Sequence, residues 1–381
     1  MKKRTLAVIG GLASMGIVLA GCGSSAPESS GGAAAGDGPG KVGATWEEIE
    51  ELAAEEGTLT LNVMSLPGFQ AWAEYANEQL PTINIETTAA ASDTFVPRVV
   101  TEQENGAFLW DVMVTPLSNV YAGLHPDYLE DLTPIFEDLP EDLTADDRWA
   151  GGFAQYSDPE DPRSFINEYL LGTAIMVNRD KASAAELSSP EDLLDPKWRG
   201  DICINDPRMV NQASMGLAWF LEQEEYGEEF VTELLTEQDV ILVDSITATS
   251  EQFAQGRCAI AIGADARTVN GLKDAGMEIE YEVLDGYGNF LLGWGASVLK
   301  DAPHPNAVRV FLAWFLSEDG QQSYADMVRA DATSRLIGVE GPYGPSKVDL
   351  ENIEDYPVRA GTYAGAEAMK RMTTLAEKVL N

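Results

Sequence analysis

Asp265 and Arg267 stand two residues apart, just beyond the apolar run Cys258–Gly263 (CAIAIG). A carboxylate and a guanidinium at that spacing suit a small zwitterion or polar solute, Arg267 gripping a carboxylate or phosphonate bidentately and Asp265 taking an ammonium. They can equally neutralise each other or their neighbours and touch no ligand. Three further pairs occupy the same kind of position past a strand-like run. Ser65 and Gly68 follow TLTLNVM, Thr115 and Ser118 follow DVMV, and Asp206 and Asn211 follow DICIN. Each residue also serves as an ordinary helix cap or turn former. Their shared position is what makes them a candidate ligand-binding set.

Other chemistries lack their parts. His125 and His304 lie far apart, and no HExxH or clustered Cys/His spacing exists, so no metal ligand set is expected. GxSxG, P-loop and strand-to-helix GxGxxG motifs are absent, which removes the positioning elements of hydrolases, NTPases and dehydrogenases. With 63 acidic residues, paired carboxylates can be drawn almost anywhere and do not argue for a glycosidase. The reading is of a protein that is not an enzyme and needs no cofactor. Cys203 and Cys258 each sit in an apolar strand-like run and form either a disulfide or two buried thiols.

The elements that must position these residues alternate. Thr45-Trp46-Glu47-Glu48 has capping-box spacing and opens a helix that stops at Gly57. A strand in TLTLNVMS, a helix through Trp72, Tyr75 and Leu80, and a strand in INIETT follow. A helix from about Asp93 to Glu104 and a strand in DVMVT continue the pattern. LGTAIMVN, Leu171 to Asn178, starts a second series. It runs through GDICIND, a long helical region from Met209 to Leu235, DVILV, a short helix from Ser250 to Gln255, and CAIAIG. Strands alternating with helices predict mainly parallel α/β sheets. IEYEVLD and FLLGWGASVL read as strands. Helices are predicted from Asn306 to Leu316 and at the carboxyl end, where Met369, Met372, Ala376 and Val379 keep helical spacing. In SSPEDLLDPKWRGDICINDP, Ser189 is expected to cap a short helix, Gly200 to release the chain into a strand, and Asp206 with Pro207 to cap the next helix.

The amino-terminal 21 residues read as an export signal, basic at Lys2, Lys3 and Arg4 and apolar from Leu6 to Ala20. Leu19-Ala20-Gly21-Cys22 is similar to a bacterial lipobox, which makes Cys22 the expected site of lipidation. Residues 22–44 are mostly Gly, Ser, Ala and Pro and read as a flexible tether. The roughly 340 residues that remain exceed the size at which one hydrophobic core stops growing, so two lobes are expected. The formal net charge is −39. Such a surface repels nucleic acid and anionic membrane, and suits a saline or otherwise demanding outside medium.

Four segments together carry a family resemblance: WEEIEELAAEEGTLTL, PEDLLDPKWRGDICINDP, GRCAIAIG and LLGWGASVLKDAPHPNAVRVFLAWFLSEDGQ. The chain resembles the extracellular solute-binding proteins of bacterial ABC importers, of the iron(III)-type group. The resemblance implies a two-lobed periplasmic-binding-protein type II fold with hinge strands and an interlobe ligand cleft. It places lobe one at 45–165 plus 286–325, lobe two at 166–285, and a carboxyl-terminal helical segment at 326–381. It also implies a monomer, exported and lipid-anchored at the outer face of the cell membrane, that passes a small solute to permease and ATPase subunits. Family members that hold ferric iron use adjacent tyrosines after the strand matching CAIAIG, whereas this chain has GADARTVNG there and no Tyr-Tyr pair. A small polar or charged solute is therefore expected. Ferric iron is the alternative ligand, and a sensor or adhesin that transports nothing is the alternative role. Phe69, Trp72, Tyr156 and Trp294 are candidate pocket walls, although aromatic residues in this number mostly fill cores.

Overall fold

The computed structural model describes residues 40–65, 67–284, 287–328, 333–340, 348–353, 356 and 358–380. Cys22 and the expected signal and most of the tether lie outside them. In the first half, α1 (Trp46–Glu56) starts where the Thr45 hydroxyl accepts the Glu48 N–H, and ends at Gly57, whose φ of 68° an L-side chain resists. There follow β1 (Thr58–Val63), α2 (Pro67–Gln79), β2 (Asn84–Ala89), α3 (Ser92–Glu104), β3 (Val112–Pro116), α4 (Leu117–Leu124), the short α5 (Thr133–Glu137) and β4 (Ser164–Thr173).

The second series is β5 (Ile175–Asn178), β6 (Ile202–Asn205), α6 (Gln212–Glu222), α7 (Gly227–Glu237), β7 (Ile241–Val243), α8 (Ile246–Ala254), β8 (Ile260–Ile262), α9 (Ala266–Asp274) and β9 (Tyr281–Val283). The chain then returns through β10 (Asn289–Val298), α10 (Pro305–Phe315), α11 (Glu318–Met327), β11 (Thr333–Ser334), β12 (Arg359–Ala360) and α12 (Tyr363–Val379). The helical region expected from Met209 to Leu235 is two helices, because the polar turn Gln223–Tyr226 separates their apolar faces. The helix expected from Ser250 begins four residues earlier, capped by the Ser245 hydroxyl.

Two sheets result. The larger has the order β11-β4-β10-β3-β1-β2, with β12 added beside β10. In it β1 runs parallel to β2 and β3, while β10 is antiparallel to β3 and β4. The smaller has the order β7-β6-β8-β5-β9, with β6 parallel to β7 and β8 and β5 antiparallel to β8 and β9. The chain passes between the sheets at Ala174, between β4 and β5, and again between β9 and β10. Residue 165, the expected end of lobe one, falls inside β4, all ten residues of which belong to the larger sheet. The early part of β4 was concealed because Asn167 and Glu168 are buried polar residues that break any apolar alternation. The segment from 326 onward is not purely helical, since β11 and β12 extend the larger sheet.

Each sheet is covered on both faces. Leu59, Leu61 and Val63 pack with α1, α2 and α10, where Trp72 meets Phe311, Phe315 and Tyr324 edge-on. Glu56, closing α1, receives the N–H groups of Asn306 and Ala307, so a carboxylate sits at the positive end of α10. Arg335 is 1% exposed and donates to the Ile166 carbonyl at 2.5 Å and to that of Gly152, fastening the 150–153 loop to β4. In the smaller sheet, Cys203 of β6 is bonded to Cys258 with Cα atoms 5.8 Å apart.

Asp111 is fully buried and accepts from the Thr60 N–H, the Thr60 hydroxyl, the His304 N–H and the His304 ring. That ring bond raises the His304 pKa above its ordinary 6.5. A folded-state pKa above the unfolded one stabilises fully below the unfolded value, and the contribution is lost as pH rises through the folded value. The unfolding midpoint is therefore expected to fall between neutral and mildly alkaline pH, and to fall less in His304→Gln. Denaturant titrations at several pH values check this. Equal pH slopes for the two proteins would refute it.

Candidate functional site

The directions of the strands decide where a ligand can sit. β1, β2 and β3 are mutually parallel and lead into α2, α3 and α4, so three helix N-termini lie at one edge of the larger sheet. β6, β7 and β8 are likewise parallel and lead into α6, α8 and α9. Ligands of open α/β sheets bind beyond such carboxyl edges, where loops offer unpaired N–H groups.

The structure distributes the expected residues unevenly over these edges. Thr115, at the end of β3, is fully buried, and its hydroxyl has no hydrogen-bond partner among the described residues. Ser65 is exposed just past the neighbouring β1. Gly68 is a packing residue: a Cβ there would stand 2.2 Å from the Met327 carbonyl oxygen, so only glycine lets α2 approach the end of α11. In the second series, Asn211 and not the expected Asp206 caps α6, accepting from the Ala213 and Ser214 N–H groups at 2.9 and 3.1 Å, because Arg208 occupies the Asp206 carboxylate. Its side-chain amide donates to the Asp206 carbonyl at 2.6 Å. The Asp206 carboxylate is held by Arg208, which lowers its pKa. Both residues are thereby committed to the turn entering α6.

Asp265 follows β8, half-buried, and its N–H donates to the Ser250 hydroxyl at 2.8 Å. Arg267 lies in the first turn of α9, and its side chain is outside the described residues. Phe69, Trp72 and Trp294 are core: Phe69 stacks on Trp294 at 5.7 Å, and Trp72 is fully buried. Tyr156 lines a separate cavity described below.

Ser118 lines a cavity of about 300 Å³ that takes walls from both series. Asn119 and Tyr121 of α4 face it from one side, and Val210 and Met215, around the start of α6, from the other. Gly361, Thr362, Met369 and Lys370 close it from the carboxyl-terminal segment. Burial, with help from Asp158, raises the Tyr121 pKa to about 12, so its hydroxyl stays protonated and donates to the Asp158 carboxylate at 3.5 Å. The cavity combines apolar Val210 and Met215 with a few polar groups, as small-molecule pockets do.

The carboxyl-terminal wall was not foreseen, because the spacing of α12 shows an apolar face without showing which lobe it covers. A signal did exist for the opposite wall. Met209 and Val210, 68% and 57% exposed, are adjacent apolar residues in a turn, where solvent normally selects polar ones. Among the described residues, no group of three or more His, Cys, Asp or Glu side chains is arranged to hold a metal ion.

Comparison with known proteins agrees with this architecture. The chain aligns at 31% identity over 170 residues with an uncharacterized protein of Haemophilus influenzae, spanning 43% of this chain and about half (48%) of that protein's length. Iron-bound HitA from Pseudomonas aeruginosa superposes with a TM-score of 0.59 at 18% identity, over 84% of this chain and 99% of its own. Trichodesmium FutA in complex with iron and citrate gives 0.58 at 17%, over 85% and 99%. AfuA from Actinobacillus pleuropneumoniae, with fructose-6-phosphate bound, gives 0.53 at 18%, over 84% and 97%. At these identities the structural likeness establishes the fold, that of two-lobed periplasmic binding proteins. Residues 70–336 match the family described as bacterial extracellular solute-binding protein, and the chain belongs to that family.

Proposed function

We propose that this protein is the solute receptor of an ABC importer: it captures a small polar or charged solute between its lobes and presents the closed form to a membrane permease. The observation that carries this reading is the 300 Å³ cavity walled by α4 on one side and the entry to α6 on the other. A solute touching both walls favours the closed arrangement, and a complete switch between open and closed requires roughly 5.5 kcal/mol of differential binding. Discrimination and release then rest on domain motion, with the solute left chemically intact. In this reading, export and lipidation at Cys22 hold a monomeric receptor at the membrane face, and the acidic surface keeps it soluble in a saline medium.

Ferric iron is the second reading, favoured by the iron named for HitA and FutA. Against it, the turn after β8 offers Asp265 where a tyrosine pair would be needed, and Asp206 is already paired with Arg208. Mass spectrometry of the solute released from denatured protein identifies the ligand. Solution scattering with that solute at saturation is expected to show compaction. Bound solute with an unchanged scattering envelope would overturn the closure mechanism, and stoichiometric iron in the released fraction would favour the second reading.

A further inference from the structure

A second cavity, about 670 Å³, lies beside the first and is built differently. Its walls are the 155–160 loop, Tyr169 of β4, Arg359 of β12 and the first turn of α12. None of its lining residues falls between β5 and β9, although α12, whose first turn forms one wall, packs on α6 and α7.

Ser157 marks this cavity as a binding site. Its backbone is fixed at both ends, the N–H donating to the Ser164 carbonyl at 2.9 Å and its carbonyl accepting from the Tyr363 N–H at 3.0 Å. The side chain is 0% exposed, and its hydroxyl has no hydrogen-bond partner among the described residues. A buried polar group left unmatched costs stability, so a rigidly placed hydroxyl at a cavity wall calls for a partner from outside the chain.

The surrounding charges define that partner. Asp158 accepts the Glu160 N–H on Oδ1 at 2.9 Å, with Tyr121 and His125 at 3.5 and 3.7 Å from Oδ2, and Glu160 is exposed at the rim. Together they form a cation-accepting side. The lining also includes Arg359 and Ala364, whose N–H belongs to the positive first turn of the 17-residue α12. Tyr156, Tyr169 and Tyr363 also line it. We propose that this cavity is a second ligand site, for a small zwitterion of the amino-acid type: its ammonium on Asp158 and Glu160, its carboxylate at the start of α12, and a polar atom on Ser157.

The test uses the full chain and the common L-amino acids as probes, screened by thermal unfolding and then measured by calorimetry. At least one is expected to bind, and its affinity is expected to fall about tenfold in both Ser157→Ala and Glu160→Gln. Glu160 is exposed, so its variant folds even if the buried serine does not tolerate change. The matching amine without the carboxylate should bind more weakly. An amine that binds as well as the amino acid overturns the zwitterion assignment. If no amino acid binds, the site assignment fails. If binding survives both variants but is lost in Val210→Asp, the ligand sits in the cleft, which overturns this proposal and leaves the receptor reading standing.

Discussion

Removing the Cys203–Cys258 bond is expected to lower the unfolding free energy by about 4 kcal/mol. The bond spans 55 residues of sequence, enclosing α6, α7, β7 and α8 between β6 and β8. Cutting it frees the unfolded chain to explore conformations that the closed loop forbids, and this entropy grows with the logarithm of loop length. Against a typical stability of 5–15 kcal/mol, a loss of that size is large. Both cysteines are fully buried, so a reductant reaches the bond only when the second series opens. Denaturant titration of Cys203→Ala/Cys258→Ala against the parent should show a markedly lower midpoint. Coincident curves would mean that the bond constrains nothing the native packing does not already fix.

Gly216→Ala is expected to disturb the joint between the lobes. Gly216 lies in α6, and a Cβ there would stand 2.0 Å from the Ala174 Cβ and 3.2 Å from the Gly288 carbonyl oxygen. Those two residues belong to the two chain crossings. The added methyl has nowhere to go unless α6 moves away from the joint, and overpacking of this kind costs roughly 1–3 kcal/mol. The change should therefore lower the unfolding midpoint and also alter the scattering envelope of the ligand-free protein. Gly271→Ala is the control: it lies in α9 with open space around it, and alanine favours a helix over glycine by up to about 1 kcal/mol. A Gly216→Ala protein with parental stability and parental envelope would show that α6 does not set the joint.

Much of the architecture could be read from periodicity, since TLTLNV, VMVT and CAIAIG each alternate or run apolar between polar turns. The candidate residues past these runs were legible as positions but not as roles. Asp206 and Arg208 pair through space within a single turn, and Gly68 is dictated by the approach of α11, some 260 residues away. Sequence spacing carries neither fact. The start of β4 was hidden by its own buried polar residues, and the cavity wall from α12 was hidden because an amphipathic stripe does not name its partner. Cys203 and Cys258 stood with two outcomes open, because only the adjacency of β6 and β8 brings their Cα atoms within bridging distance.

The carboxyl-terminal segment gives the joint a property that two crossings alone would lack. β12 hydrogen-bonds to β10 of the larger sheet, and three residues later α12 begins and buries Met369, Met372 and Ala376 in the core shared with α6 and α7. The peptide around Gly361 is therefore a third stave between the lobes. At Leu291 and Leu292 the strand β10 is flanked by β4 on one side and β12 on the other, so the three staves stand side by side in one sheet, and this wider joint resists wringing more than two staves would. In the proposed receptor role, the lobes should accordingly meet in one fixed register each time they close, so that a permease encounters a single closed face whichever solute is inside.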